Sequence, residues 1–273
     1  MHAEDLAGNG MSERVQISKH GKIARVTLNR AEKYNALDQA MFEAIIAAAA
    51  EIAADRNIRA VVLHGAGGNF CAGIDLEALS GNAGDFSKAL NTPLEPSPAN
   101  IFQAVACAWR ELPVPVIAAL EGVTFGGGLQ IALGADIRVA APDTRFSIME
   151  SKWGLIPDMG MTVTLRNLVS PDRVKELAFS ARVFSAAEAL SYNIITTVAD
   201  DPLAVATQAA EDCAAKSPDA IRGIKSLVNQ AWHLSEAESL ALEARLQGGI
   251  MGRHNQVEAV TANLQKRQPD FKD

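Results

Sequence analysis

Residues 124–130 read TFGGGLQ and run directly into IALGADIRVAA (131–141). A glycine in a helix interior costs about 1 kcal/mol relative to alanine. Three in a row at the mouth of an apolar, small-residue helix therefore need a reason. Glycine lets backbone approach a ligand closely and present bare N–H groups. A helix opened by such a loop adds its unpaired N-terminal donors and its positive dipole end. A second loop of this kind, GAGGNFCAGIDL (65–76), follows the apolar run VVLH, just as GVTFGGGLQ follows PVIAAL (115–120). Two such N–H groups converging on one oxygen make an oxyanion hole. Tight strand-to-helix turns with close packing are the plainer reading of the same spacing.

Outward from these loops, RVQISKHGKIARVTLNR (14–30) reads as a hairpin with His20-Gly21 at its turn. Asp38 is placed to cap a helix over 39–54, with apolar residues at Met41, Ile45, Ala48, Ile52 and Ala53. RAVVLHG (59–65) and PVIAAL are short, continuous apolar runs, the pattern of strands buried on both faces. Residues 80–98, which hold Pro93, Pro96 and Pro98, read as a variable, mobile stretch. IFQAVACAWREL (101–112) is predicted helical, and 136–140 and 144–148 are predicted strands. From about Asp158 the period changes: LRNLV, PDRVKELAFS, SAAEALSY and the segments that follow, to QVEAVTANLQKR, all read as helices. Strands alternating with helices, then helices alone, argue for an α/β core followed by a C-terminal helical module.

The chain has 273 residues, 48% hydrophobic and 21% charged, the balance of a soluble globular protein. Its net charge of −7 and the lack of a basic block argue against nucleic acid as a partner. Charged or polar residues interrupt every apolar run before membrane-spanning length, so no membrane partner is expected. The opening MHAEDLAGNGM lacks the pattern of a secretory signal; residues 1–12 are expected to be a disordered extension, with Met11 the natural start. Three widely spaced cysteines without a CxxC pair fit a reduced, cytoplasmic compartment. Phe70 breaks a GxGxxG pattern in GAGGNF, and Ile74-Asp75 stand where a P-loop needs Lys and Ser/Thr. There is no HExxH, no i, i+4 histidine pair and no GxSxG. Metal, nucleotide-redox and serine-hydrolase chemistry thus lose their motif support.

NRAEKYNALD (29–38), GAGGNFCAGIDL, GVTFGGGLQIALGADIRVAA (122–141) and FSIMESKWGLIPDMG (146–160) resemble, in order, the successive signatures of the crotonase, or enoyl-CoA hydratase/isomerase, superfamily. The likeness runs from about residue 14 to Phe271. It implies an α/β fold: a crotonase-like spiral of ββα turns over 13–200, carrying the CoA and active sites. It further implies a C-terminal helical trimerisation module over 201–273, and a homotrimer or dimer of trimers. The implied substrate is an acyl-CoA thioester, with no cofactor beyond the coenzyme A that it carries. Its thioester oxygen would sit between backbone N–H groups that match Ile74 and Gly127. Lys33 and Lys266 match positions that contact CoA phosphates, Lys266 from a neighbouring subunit, and Ala72 would offer its backbone to the adenine end. Solvated surface lysine is the plainer reading of both lysines.

Hydratases of this family carry two glutamates, and the matching positions here are Gln130 and Glu150. Gln130 cannot exchange a proton, although it can orient a water or a neighbouring carboxylate. Asp158, in IPDMG, stands where hydratases commonly have glycine and dienoyl-CoA isomerases have aspartate. Glu150 and Asp158 thus resemble an isomerase's proton-shuttling pair, although dienoyl isomerases usually have an acid at the place of Gln130 as well. Two carboxyls lining one apolar pocket cannot both ionise cheaply, which gives an acid and a base at neutral pH. Phe125, Met149, Trp153 and Met159 are the expected apolar neighbours. For Asp158 a helix N-cap ahead of MGMTVTLRNLV is the plainer reading. Asp75 is expected to fix its loop and His64 to be a packed side chain. Double-bond isomerisation is the expected reaction. The alternatives are 2-enoyl-CoA hydration by Glu150 with Gln130 holding the water, and a non-catalytic acyl-CoA-binding scaffold.

Overall fold

The computed structural model describes residues 14–77 and 83–273; the expected extension at 1–12 lies outside the described residues. Strands β1 (Val15–His20) and β2 (Ile23–Leu28) form the expected hairpin, turning at Gly21 with φ +60°. Helix α1 (Gln39–Ala54) begins where Asp38 accepts a hydrogen bond from the Met41 amide at 2.8 Å. Its buried stripe is Met41, Phe42, Ala44, Ile45, Ala48, Ala49 and Ile52, whereas Ala53, expected inside, faces solvent. Strand β3 (Ala60–Gly65) follows. The stretch expected to be variable contains helix α2 (Ala83–Leu90). Helix α3 (Ile101–Glu111) starts from a capping box in which Asn100 and Gln103 satisfy each other's free amides.

The chain then alternates between two sheets: β4 (Val116–Leu120), β5 (Val123–Phe125), α4 (Gly127–Leu133), β6 (Ile137–Ala140) and β7 (Arg145–Ser147). Helices α5 (Met161–Thr164) and α6 (Pro171–Ser180), strand β8 (Phe184–Ser185), helix α7 (Ala186–Ser191) and strand β9 (Thr197–Val198) complete it. LRNLV is not the helix its pattern suggested: α5 sits just before it, capped by Gly160 at φ +88°, so Asp158 is not an N-cap either. Helices α8 (Pro202–Ala214), α9 (Pro218–Ala231), α10 (Glu236–Ile250) and α11 (His254–Leu264) end the chain.

One sheet has the order β1-β2-β3-β4-β6-β9, parallel throughout except for the first hairpin; the other has the order β5-β7-β8. Leaving the first sheet, the chain turns into the second after β4 and again after β6, each time before a helix. Alternate residues of the central strands go to different faces. Val61, Leu63, Ala118 and Leu120 join the main core under α1, α3 and α4. Ala60, Val62, Ile117 and Ala119 meet α8 through Ala206 and Ala210. That two-sided burial is why these strands read as unbroken apolar runs. Helix α8 lies past residue 200, where the helical module was expected to begin, yet it covers this second face of the sheet and so belongs to the core layers.

Asp38→Ala is expected to cost about 1 kcal/mol of stability, read as a lower urea midpoint at unchanged m-value, because the α1 cap and the ion pair with Arg14 are lost. An unmoved midpoint would show that the cap contributes nothing.

Candidate active site

The loop after β3 enters the second sheet. Phe70 and Cys71 donate to Glu121 and Val123 carbonyls, and the Phe125 amide returns a bond to Cys71 at 3.0 Å. This pairing lays the two glycine-rich loops side by side. Their approach is so close that Gly128 and Gly73 are forced by backbone of the facing loop, while Gly127 packs against the flexible end of Met159. A Cβ on Gly128 would lie 2.3 Å from the Cys71 carbonyl oxygen, and one on Gly127 would lie 2.7 Å from Met159 Sδ. A Cβ on Gly73 would meet Phe125 O at 2.8 Å and the Gly127 nitrogen at 3.3 Å, so the peptide ahead of Ile74 abuts the mouth of α4.

The two candidate donors are free. Leu37 donates to Gly73 O, and Asp75 donates to Leu37 O, so this parallel bridge is made by the residues flanking Ile74. The Ile74 amide therefore points away from residues 36–38. Among the described residues, neither it nor the Gly127 amide has an acceptor within the chain. The Ile74 loop is pinned from behind. Asp75 pairs with Arg30 at 2.7 Å, both side chains being about nine-tenths buried. Burial works against the Asp75 charge, but the hydrogen bond and field of Arg30 hold its carboxyl below the usual range. Asp75 thus has the loop-fixing place expected of it. Asn35, fully buried with φ +56°, accepts from the Arg30 amide and donates to Ala66 and Asn69 carbonyls. Arg30 and Asn35 are site-building residues that the sequence reading passed over. The available signal was an asparagine, the residue that tolerates a left-handed backbone, inside NRAEKYN.

Glu150 opens a short 3-10 turn, Glu150–Trp153, and its carboxyl reaches the same helix mouth: Oε1 would be 3.4 Å from a Cβ on Gly126. Gln130 Nε2 donates to Glu150 Oε1 at 2.7 Å, and the Met159 amide donates to Gln130 Oε1 at 2.8 Å. Glu150 Oε2 is buried without a hydrogen-bond partner. Burial pushes the Glu150 carboxyl above its usual range, the hydrogen bond from Gln130 opposes that, and the Asp158 charge adds to it. Asp158, half-buried, is also raised by burial. Of the expected apolar neighbours, Met159 is buried and Phe125 and Met149 half-buried, but Trp153 is 45% exposed beneath Lys152 and takes no part in the desolvation.

The remaining candidates sit further out. Ala72 uses its amide on Tyr34 O, which leaves its carbonyl to offer. Lys33 is half-exposed, 3.3 Å from Glu77. Lys266 follows α11 with φ +53°. His64 is held by Thr27 Oγ1 at 2.9 Å, as a packed histidine should be. A separate cavity of about 380 Å³ opens at the other end of α4, lined by Leu133, Asp136, Lys225 and Trp232 among others. The Lys225 ammonium there is used up on Trp109 O, Val114 O and Asp136. Among the described residues no cluster of His, Cys, Asp and Glu is placed to hold a metal ion, and no helix is long and apolar enough to cross a membrane.

A family model described as enoyl-CoA hydratase/isomerase matches residues 18–273. The chain is 30% identical over 264 residues to the probable enoyl-CoA hydratase echA8 of Mycobacterium tuberculosis, an overlap of 95% of this chain and 98% of that protein. It is 32% identical over 270 residues to the mitochondrial Delta(3,5)-Delta(2,4)-dienoyl-CoA isomerase of Mus musculus, covering 93% and 80% respectively. The crystal structure of an enoyl-CoA hydratase from Bacillus anthracis superposes with a TM-score of 0.86 at 27% identity, over 95% of this chain and 99% of that one.

Gly128→Ala is expected to cost about 3 kcal/mol, since the clash is with backbone. Gly248→Ala, in α10 with nothing within 4 Å of the new carbon, should be neutral or stabilising by up to about 1 kcal/mol. Equal midpoints for the two variants would refute the close approach. Because burial raises the folded-state pKa of Glu150 above its unfolded value, its charge weakens the fold at neutral pH, and that penalty disappears as pH falls through the folded pKa. Glu150→Gln is therefore expected to gain on the order of 1 kcal/mol at neutral pH and progressively less under acid conditions.

Proposed function

Because the chain belongs to the enoyl-CoA hydratase/isomerase family and is an acyl-CoA enzyme, we propose that it moves the double bonds of an enoyl- or dienoyl-CoA through a thioester enolate. The thioester oxygen accepts the Ile74 and Gly127 N–H groups. Negative charge arrives on that oxygen as a proton leaves the α-carbon, and each donor contributes roughly 2.7–4 kcal/mol to the transition state. Glu150 and Asp158 act as base and acid: one removes the α-proton, the other returns a proton at the far end of the conjugated system. Burial raises both, and the Asp158 charge raises Glu150 further; two interacting carboxyls lose their protons in separate steps, so one can hold a proton while the other is ionised. The single observation that carries this reading is the orphaned Oε2 of Glu150, on a carboxyl that reaches Gly126, the residue before the free Gly127 amide.

Hydration of a 2-enoyl-CoA is the second reading, favoured by the hydratases among the relatives. It requires Gln130, already engaged at both ends of its amide, to take up a water as well. Lys33, Lys266 and the Ala72 carbonyl are proposed contacts for the CoA phosphates and adenine. A trimer joined through the C-terminal helices is supported by the exposed Ile224, Trp232 and Leu240 of that region.

In deuterium oxide the enzyme should exchange the α-proton of a bound acyl-CoA. Of Glu150→Gln and Asp158→Asn, the variant that lacks the base should slow that exchange by about 10²-fold or more; unchanged exchange in both variants removes the assignment. Following chromophores separates the two reactions: conjugation gained from a 3,5-dienoyl-CoA marks isomerisation, conjugation lost from a 2-enoyl-CoA marks hydration. The rate should follow a bell-shaped pH profile, failing in acid when both carboxyls are protonated and in alkali when both are ionised. Both limbs should be displaced upward from ordinary carboxylate values.

A further inference from the structure

We infer that Gln130 is a positioning residue: its amide reserves Oε2 of Glu150 for the moving proton and ties that carboxyl to the segment carrying Asp158. The inference rests on the proton-transfer reading above, and adds which oxygen works and what holds it there.

Hydrogen-bond chemistry fixes the amide's orientation. A backbone N–H only donates, so the group 2.8 Å from the Met159 amide must be the Gln130 carbonyl. The NH₂ then faces Glu150 Oε1 at 2.7 Å. An oxygen that already accepts a donor at that distance is the poorer proton acceptor of the two. Oε1 is the oxygen on the Gly126 side, 3.4 Å from where a Cβ there would stand, while Oε2 is buried and unpartnered. Gln130 itself is 2% exposed and anchored in α4 by its own amide bond to Gly126 O. Met159 directly follows Asp158, so one rigid side chain spans the two elements that carry the two acids.

The identity of the side chain matters as much as its position. A glutamate at 130 would still accept from Met159, but would face Glu150 oxygen to oxygen. The two would share a proton, and Oε1 would become a second seat for it. The amide allows only Oε2, and limits the titrating groups here to Glu150 and Asp158, the other charge acting on Glu150. Donation to the ionised carboxylate also offsets part of the burial that raises it.

The test is a carboxyl titration of ligand-free enzyme carrying ¹³C at the glutamate δ-carbons, with the Glu150 signal identified by its loss in Glu150→Gln. In Gln130→Met, which keeps volume and removes donation, the Glu150 midpoint should rise by about one pH unit, a tenfold change in proton affinity. In Gln130→Glu, which keeps the Met159 bond, it should rise and become biphasic; this variant decides the matter if the methionine variant does not fold. The corresponding limb of the kcat profile should move with it, while KM for the acyl-CoA stays within about twofold. A Glu150 midpoint unmoved in the folded variants would overturn the inference, since a merely structural role leaves it in place. Absence of α-proton exchange in the wild-type enzyme would sink the proposed reaction instead, and the titration would still decide the role of Gln130.

Discussion

The Gly128 peptide lies against the Cys71 carbonyl at a separation that leaves no space for a single methyl group. The contact exists because both loops leave neighbouring parallel strands and then pair with each other in a second sheet, through Cys71 and Thr124. Everything the site offers follows from this approach. It brings the peptide ahead of Ile74 against the Gly127 nitrogen and the mouth of α4 close to the Glu150 carboxyl. The three glycines at this helix mouth stand there for separate reasons. Gly126 adopts φ +50°, Gly127 yields to Met159, and Gly128 yields to Cys71.

Around that contact the polar groups divide by purpose. Behind Ile74, Arg30, Asp75 and Asn35 are buried and bonded across two loops, the arrangement that holds a loop rigidly. On the other side, Glu150 is half satisfied, and one oxygen is desolvated with nothing to bond. Leaving a buried polar atom unmet costs about 1–3 kcal/mol. The fold tolerates it because the surrounding layers, a sheet covered by α1, α3 and α4 on one face and by α8 on the other, are densely buried. The same burial that leaves this oxygen unmet raises the carboxyl above its usual range.

Gln130 joins these two halves. It is neither an acid nor a base, but it sets the electrostatic balance of Glu150 by donation and fixes its distance from the Asp158 segment through Met159. An amide in place of a carboxylate leaves two titrating groups here, Glu150 and Asp158, where a second glutamate would make three.

Local sequence determined much of the fold. The hairpin turn at Gly21, the Asp38 cap, the strands at 60–65 and 116–120 and the helices from α6 onward are encoded within a few residues, by caps, periodicity and unbroken apolar runs. The glycine loops and the order of the four signatures also pointed to thioester chemistry. Where packing overrides propensity, the pattern misled: LRNLV is apolar enough for a helix but lies after α5, and Trp153 is large and apolar yet turned to solvent. What only the tertiary structure decided is the pairing of groups far apart in the chain. Gln130 meets Glu150 across 20 residues and Met159 across 29, and Arg30 meets Asp75 across two loops. Such contacts have no local signature, because the side chains that make them are chosen for a geometry that exists only once the two sheets have closed together.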